Sequence, residues 1–323
     1  MTARWRALAA IAVLTASSPA RGFVRERVTE DCELVDDFGC APIAWHERNC
    51  VPIDIYMNGT ADMTRDEAAR ALGAAAHAWS PSAVACTATA RPPHPYLEII
   101  PGMAADDAKP PPVANDSHNV LIFQSEWPLD LPFGAVAVTT IAKKKDGRIL
   151  DADIEINDQW FPWANLDPGA PTHGQGDLFD LQNAITHEFG HFLGLGHTCD
   201  AGNDANTFDD KGTPVPVCGS PDETPEIRGS VMYAIVETGE TSKRVLSPDD
   251  VAGICTIYPT ADDPKLCTLD LPDDGCGCAS GGGARTIGGL AFGLAFAALA
   301  RLRSGRARRG GRGRTPRPAP PLR

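Results

Sequence analysis

No part of this chain has the roughly 20 consecutive apolar residues that a transmembrane helix needs. Its two main apolar runs extend from Ala7 to Val13 and from Ile287 to Ala300. The first run is too short to anchor a protein in a bilayer, and the second is of marginal length for crossing one. The sequence therefore does not predict an integral membrane protein with several spans.

Basic residues are scarce between residues 21 and 284. All 42 acidic residues lie between Glu26 and Asp274, whereas 12 of the 29 Lys and Arg lie outside 21–284. This central part has 29 − 12 = 17 basic and 42 acidic residues, a formal charge of about −25 against −13 for the whole chain. Such a charge repels phosphate backbones, so we expect no nucleic-acid partner. It is compatible with calcium binding, although solubility alone also explains it.

The amino-terminal end has the layout of a targeting segment. Residues 1–20 place Arg4 and Arg6 before the short apolar run, and small residues follow up to Ala20. This is the pattern of a secretory signal peptide. Ten cysteines in an exported chain favour disulfides over free thiols. Residues 21–49 then form a polar segment that is too short for a separate domain.

The stretch from His187 to His197 has the residue types of a metal site. Residues four apart share a helix face, so His187 and His191 point in the same direction. Gly194 suits the left-handed conformation at a helix end, and the turn there can bring His197 to the same point. Three imidazoles leave one position of a tetrahedral Zn²⁺ open for water, as in catalytic sites. Glu188 lies between the ligands, where it can act as general base.

The extended motif resembles that of the metzincin zinc peptidases. This family has a methionine turn beneath the metal, and Met232 in Ser230-Val231-Met232-Tyr233 matches it. Thr198 after the third histidine is nearest to the serine of the matrixin subfamily. Residues Leu246–Ile254, followed by a tyrosine, are similar to the matrixin closing helix. The resemblance covers residues 50–260, with an acidic, then glycine-rich linker at 261–285.

The resemblance implies an α/β metzincin fold with a small, twisted, mixed and mostly parallel sheet and an active-site helix, Met-turn and C-terminal helix. Local patterns place strands at Cys50–Met57, Tyr96–Ile100, Asn119–Phe123, Phe133–Ile141 and Arg148–Ile156. A capping box formed by Thr64 and Glu67 opens a helix that runs to about Trp79. Asp177 or Asp180 caps the active helix, and Ser247 caps the closing helix with Pro248 in its first turn.

The function implied is a zinc-dependent endopeptidase that acts on peptides or proteins, with Glu188 as general base. The edge strand Gly134–Thr139, above all Gly134, Ala135, Val136 and Ala137, is expected to add an extended substrate to the sheet. We expect a monomer. The alternatives are an inactive zinc-binding surface adhesion module and a hydrolase of a non-peptide bond. Retention of Glu188 argues against the former, and the matrixin likeness argues against the latter.

Carboxylates outside the histidine motif suggest calcium. Asp151, Asp153 and Glu155 alternate along one strand face, which is either a calcium site or a solvated face. The matrixin stretch that this strand resembles carries a structural-zinc histidine and two calcium-binding carboxylates, of which only Asp151 is matched here. A second calcium candidate is the loop after the third histidine, with Asp200, Asp204, Asp209 and Asp210.

Six of the ten cysteines are predicted to form three disulfides. We expect Cys199–Cys218 to close the loop after the third histidine, because that loop is rich in glycine and aspartate and has little apolar content. Cys50–Cys86 and Cys255–Cys267 are the other two predicted pairs.

The carboxy-terminal end, with residues 286–323 as its tail, combines Cys276-Gly277-Cys278, an apolar run and nine arginines from Arg301 to Arg323. This layout resembles bacterial sorting tails of the MYXO-CTERM type, which are cut near the cysteines while the protein stays anchored at the cell surface. Cys276 is then the expected processed end. A plain membrane helix is the alternative, and positive charge would hold its end in the cytoplasm. Both place residues 50–260 outside the cytoplasm.

Overall fold

A computed structural model describes residues 22–28, 40–56, 60–87, 93–103, 116–168, 177–202 and 207–267. All of them belong to the first of two compact units of the chain, Met1–Leu269. The predicted signal peptide, the sorting tail with Cys276, and Asp204 lie outside the described residues. Within these ranges, no helix combines the length and the apolar character needed to cross a membrane.

The described residues form nine strands, four α-helices and two 3₁₀ turns. The strands are β1 (Val24–Arg25), β2 (Cys50–Tyr56), β3 (Glu98–Met103), β4 (Val120–Gln124), β5 (Ala137–Lys143), β6 (Ile149–Asn157), β7 (Trp163–Ala164), β8 (Phe179–Asp180) and β9 (Leu195–Gly196). The helices are α1 (Arg65–Ala78), α2 (Leu181–Phe192), α3 (Pro225–Arg228) and α4 (Pro248–Ile257), with 3₁₀ turns at Ser242–Arg244 and Thr260–Asp262.

A five-stranded mixed sheet forms the centre of the fold, with strand order β3-β2-β4-β6-β5. Four strands run parallel, and β5 pairs antiparallel with β6 at one edge. The hairpin between β5 and β6 turns at Gly147, which has φ +88°. A Cβ there would lie 2.2 Å from the carbonyl oxygen of Pro42, so only glycine fits. The predicted mixed α/β class with a mostly parallel sheet is confirmed at this level.

Helix α1 lies beside α2 and begins with the predicted capping box of Thr64 and Glu67. Its apolar face is buried, and the Trp79 indole at its end donates to the carbonyl of Thr186 in α2 at 2.8 Å. Asp180, one of the two predicted caps, is the N-cap of α2, and Arg244 donates to both of its carboxylate oxygens. The helix that carries two of the histidines is therefore held at its start by Arg244 and in its middle by Trp79.

The predicted substrate strand begins later than expected. Of the residues Gly134, Ala135, Val136 and Ala137, only Ala137 belongs to β5. The amide of Ala135 donates to the carbonyl of Pro132 at 3.1 Å, which closes a turn before the strand starts. Pro132 and Gly134 in that turn are the local reason, because both residues favour turns over strands. The edge position of β5 itself agrees with the prediction.

Two of the three predicted disulfides are wrong. Cys199–Cys218 is present as expected, but Cys50 pairs with Cys267 and Cys86 pairs with Cys255. The chain after α4 returns to the start of β2, where the amide of Asn49 donates to the carbonyl of Leu266 at 3.0 Å. This return brings Cys267 to Cys50 and leaves Cys255 in α4 for Cys86. Three disulfides agree with the expected oxidising, extracellular environment.

Candidate metal centre

The three histidines of the motif converge on one point. Their Nε2 atoms form a nearly equilateral triangle, with distances of 3.1 Å for His187–His191, 3.0 Å for His191–His197 and 3.3 Å for His187–His197. Helix α2 supplies the first two residues, which share a face as their spacing predicts. The helix ends at Leu193, and Gly194 with φ +92° turns the chain so that His197 completes the triangle.

Backbone carbonyls fix the tautomers of two of these imidazoles. Nδ1 of His187 lies 2.7 Å from the carbonyl oxygen of Val231, and Nδ1 of His191 lies 2.9 Å from that of Leu195. A carbonyl oxygen only accepts, so each Nδ1 carries the hydrogen and each Nε2 presents its lone pair. Ligand histidines of metal sites are held in this way by their second nitrogen.

The electrostatic surroundings of the triangle favour a cation. Burial, then the neighbouring imidazoles, lowers the pKa of His187 well below 6.5, so this ligand is neutral at pH 7. Burial also acts to lower the pKa of His191, but the carboxylates of Glu26 and Glu188 outweigh it and raise that pKa. These carboxylates stabilise positive charge at the triangle, whether a proton or a metal ion carries it.

The spacing of the nitrogens fits zinc. Two ligand nitrogens of a tetrahedral Zn²⁺ with Zn–N bonds of 2.0–2.1 Å are about 3.3–3.4 Å apart, close to the separations seen here. Three lone pairs at this distance repel one another unless a cation lies among them. The donor set of three imidazoles therefore suits a divalent transition metal and leaves room for a further ligand.

The turn at Met232 lies directly against the ligand helix. A Cβ on Gly190 of α2 would lie 2.1 Å from the Met232 sulfur, so the missing side chain at this glycine is what allows the close packing. Asp250 in α4 holds the turn, accepting from the Ser230 hydroxyl at 2.7 Å and from the Val231 amide at 2.9 Å. The same Val231 accepts from His187, so the closing helix positions a ligand through one backbone residue.

Glu188 is 5% exposed and lies between two ligands along α2. Its carboxylate oxygen Oε2 accepts a hydrogen bond from the Thr139 hydroxyl on β5, with 2.6 Å between the oxygens. This contact joins the edge strand to the helix of the metal triangle. No local sequence pattern connects Thr139 with Glu188, because the two residues are 49 positions apart.

The segment before the predicted domain also contributes to the site. Strand β1 pairs antiparallel with β9, and the amide of Glu26 donates to the carbonyl of Gly194 at 3.0 Å. The Glu26 carboxylate lies 3.6 Å from Nδ1 of His191. Residues 22–28 thus brace the turn that brings His197 to the triangle, although the sequence suggested only a polar extension there.

The face of β6 with Asp151, Asp153 and Glu155 is not solvated. The three side chains are 1%, 2% and 5% exposed, and the Asp153 carboxylate accepts from the Val120 amide at 3.0 Å. Inner strands of parallel sheets are covered on both faces, which the alternation of residue types could not show. Carboxylates two apart on a strand project about 7 Å apart, and in the described ranges they join no group of three ligand atoms within 4.8 Å.

In the loop after His197, carboxylates accept hydrogen bonds from backbone amides. Asp209 accepts from the amides of Lys211, Thr213 and Gly22, and Asp200 accepts from the Gly202 amide. A second group of three candidate metal ligands there consists of Cys199, Cys218 and Glu223. Its two sulfurs form the disulfide, so they are not thiolates that could bind a metal.

The described residues therefore bring together three histidines that could hold a metal ion, with an adjacent buried carboxylate, beside the sheet edge formed by β5. Comparison with known proteins adds nothing to it: no family model matches the chain, and a search of curated proteins found no match.

Proposed function

We propose that this chain is an exported zinc-dependent endopeptidase of the metzincin, matrixin-like type. The observation that carries the proposal is the convergence of three Nε2 atoms within 3.3 Å of one another, next to the buried carboxylate of Glu188. The packing of Met232 beneath α2 and the hold of Asp250 on that turn support the metzincin resemblance of the sequence.

The chemistry needs a polarised carbonyl and an activated water. His187, His191 and His197 would hold a Zn²⁺ ion, which would supply Lewis-acid chemistry and lower the pKa of a water molecule to about 7. Glu188 accepts the proton of the water that attacks the scissile carbonyl, and then delivers it to the nitrogen of the leaving amine. The hydrogen bond from Thr139 occupies one carboxylate oxygen and leaves the other for this proton transfer.

The free side of β5 is suited to binding an extended peptide. The strand pairs with β6 on one side, and its other side has no partner strand in the described part of the chain. An added substrate strand would form backbone hydrogen bonds along that side of β5. Because Thr139 of this strand contacts Glu188, the peptide would lie next to the general base.

A peptide-library digest of the purified exported protein tests this function. We expect cleavage that a zinc chelator abolishes and that added Zn²⁺ restores, with one zinc bound per chain. Cleavage that survives complete removal of the metal would contradict the proposal. Zinc binding at full stoichiometry without any cleavage would instead support the inactive adhesion module.

A further inference from the structure

The hydroxyl of Thr139 contacts the carboxylate that the proposed reaction needs as its base. We propose that Thr139 is a positioning residue, which holds the Glu188 carboxylate in the orientation used for proton transfer. This inference rests on the proposed function and deepens it, since it makes the substrate-binding strand part of the control of the base.

The geometry of the contact is that of a strong hydrogen bond. Thr139 Oγ1 lies 2.6 Å from Glu188 Oε2 and 3.3 Å from the Glu188 carbonyl oxygen. A hydroxyl has a single hydrogen, which goes to the nearer, charged acceptor. Bonds of this length from a hydroxyl to a carboxylate are among the stronger hydrogen bonds of proteins.

No other hydrogen bond to the Glu188 carboxylate occurs among the described residues. A glutamate side chain has three rotatable bonds, and a buried one that lacked this contact could adopt several orientations. Thr139 can restrict them because its own side chain is stiff: it is β-branched, and its strand is paired with β6 opposite Ile154. A rigid donor on a sheet edge is therefore what orients the base.

The neighbouring Thr140 provides a matched control. It lies on the same strand but points to the opposite face, and its side chain is exposed. Replacing either threonine with valine makes the same chemical change, the exchange of a hydroxyl for a methyl group. Only the change at Thr139 removes the contact with Glu188.

The test compares Thr139→Val, Thr139→Ser and Thr140→Val in the zinc-loaded full chain, with kcat, KM and zinc content measured for each. We expect Thr139→Val to lower kcat by about 10-fold to 100-fold, since a small misplacement of a reacting group has effects of this size. KM and zinc content should stay close to those of the wild type. Thr139→Ser should restore most of kcat, and Thr140→Val, a change on the same proposed substrate-binding strand, should lower kcat less than Thr139→Val does.

Several results would overturn the role of Thr139. These are an unchanged kcat in Thr139→Val, a loss that serine does not restore, or an equal loss in Thr140→Val. A change in KM alone would show that the hydroxyl serves substrate binding rather than the base.

A second measurement separates failure of this inference from failure of the proposed function. The unfolding midpoints of Thr139→Val, Glu188→Ala and the double variant form a cycle that needs no turnover. Non-additive midpoints support the contact, and additive midpoints overturn it. If the wild type binds zinc but cleaves nothing while the cycle is non-additive, the proposed function has failed and the contact has not.

Discussion

Replacing Glu188 with glutamine tests the central step of the proposed reaction. Glutamine has the same shape, and its carbonyl oxygen can still accept the hydrogen bond from Thr139. We therefore expect an intact fold and a full complement of zinc. The variant lacks only the group that accepts a proton, so its loss of activity measures general-base catalysis.

The expected loss lies in the upper part of the usual range. Removing a general base costs about a hundredfold to ten-thousandfold in rate, which is about 2.7 to 5.4 kcal/mol at about 1.36 kcal/mol per factor of ten. Among the described residues, Glu26 also places a carboxylate close to a histidine of the triangle, 3.6 Å from Nδ1 of His191. Nδ1 faces away from the converging Nε2 atoms, so Glu26 cannot take over the proton transfer.

The assay is hydrolysis of a fluorogenic peptide, found by the library digest, with kcat/KM compared between wild type and Glu188→Gln. Zinc content and the thermal unfolding midpoint are measured on the same samples. Glu98→Gln is the control, because Glu98 is exposed on β3 at the opposite edge of the sheet. Activity within tenfold of the wild type in a zinc-loaded Glu188→Gln sample would refute the assigned role.

Three further changes test the packing and the electrostatics. Gly190→Ala should destabilise the protein by about 1–3 kcal/mol in urea unfolding, since its Cβ would lie 2.1 Å from the Met232 sulfur. The control Gly73→Ala in α1, where the added methyl meets nothing within 4 Å, should stabilise the protein by about 0.5–1 kcal/mol. Equal effects of the two changes would contradict the close packing at Gly190. Replacing Cys199 and Cys218 with alanine removes a disulfide that joins residues 19 positions apart, and should lower the free energy of unfolding by about 3 kcal/mol in the chain-entropy model. An unchanged denaturation midpoint would show that the loop is ordered without the disulfide. Burial and neighbouring carboxylates raise the pKa of Asp249 to about 7, so the folded state keeps a proton that the unfolded state has lost. Stability should then fall as pH rises from about 4 to about 7, and Asp249→Asn should flatten this part of the unfolding-midpoint curve, which an unchanged slope would contradict.

Local features of the fold followed from the sequence. The capping box at Thr64 and the cap at Ser247 begin helices where they were predicted, because caps act within four residues. Helix α2 ends just before Gly194 for the same kind of reason, since the backbone at this glycine has a positive φ. The spacing of His187 and His191 also fixed their common direction as soon as a helix was assumed.

Contacts between distant segments could not be predicted from the sequence. Cys50 could pair with any of several cysteines until the course of the chain after α4 was known. The carboxylates of β6 alternate as an exposed face would, yet the whole strand is inside the sheet and all three are buried. Strand β1 and Glu26 reach the metal centre through pairing with β9, which no pattern in residues 22–28 indicates.

The sequence alone thus determined the chemistry of the site: three imidazoles, one carboxylate and a helix end at fixed spacing, all within 11 residues from His187 to His197. The tertiary structure decided how these groups are held. Val231 orients His187, Asp250 holds Val231, and Thr139 holds Glu188, each across 19 or more residues. The physical reason is that side-chain periodicity is a property of one element, whereas a hydrogen bond between elements depends on how the sheet and helices pack.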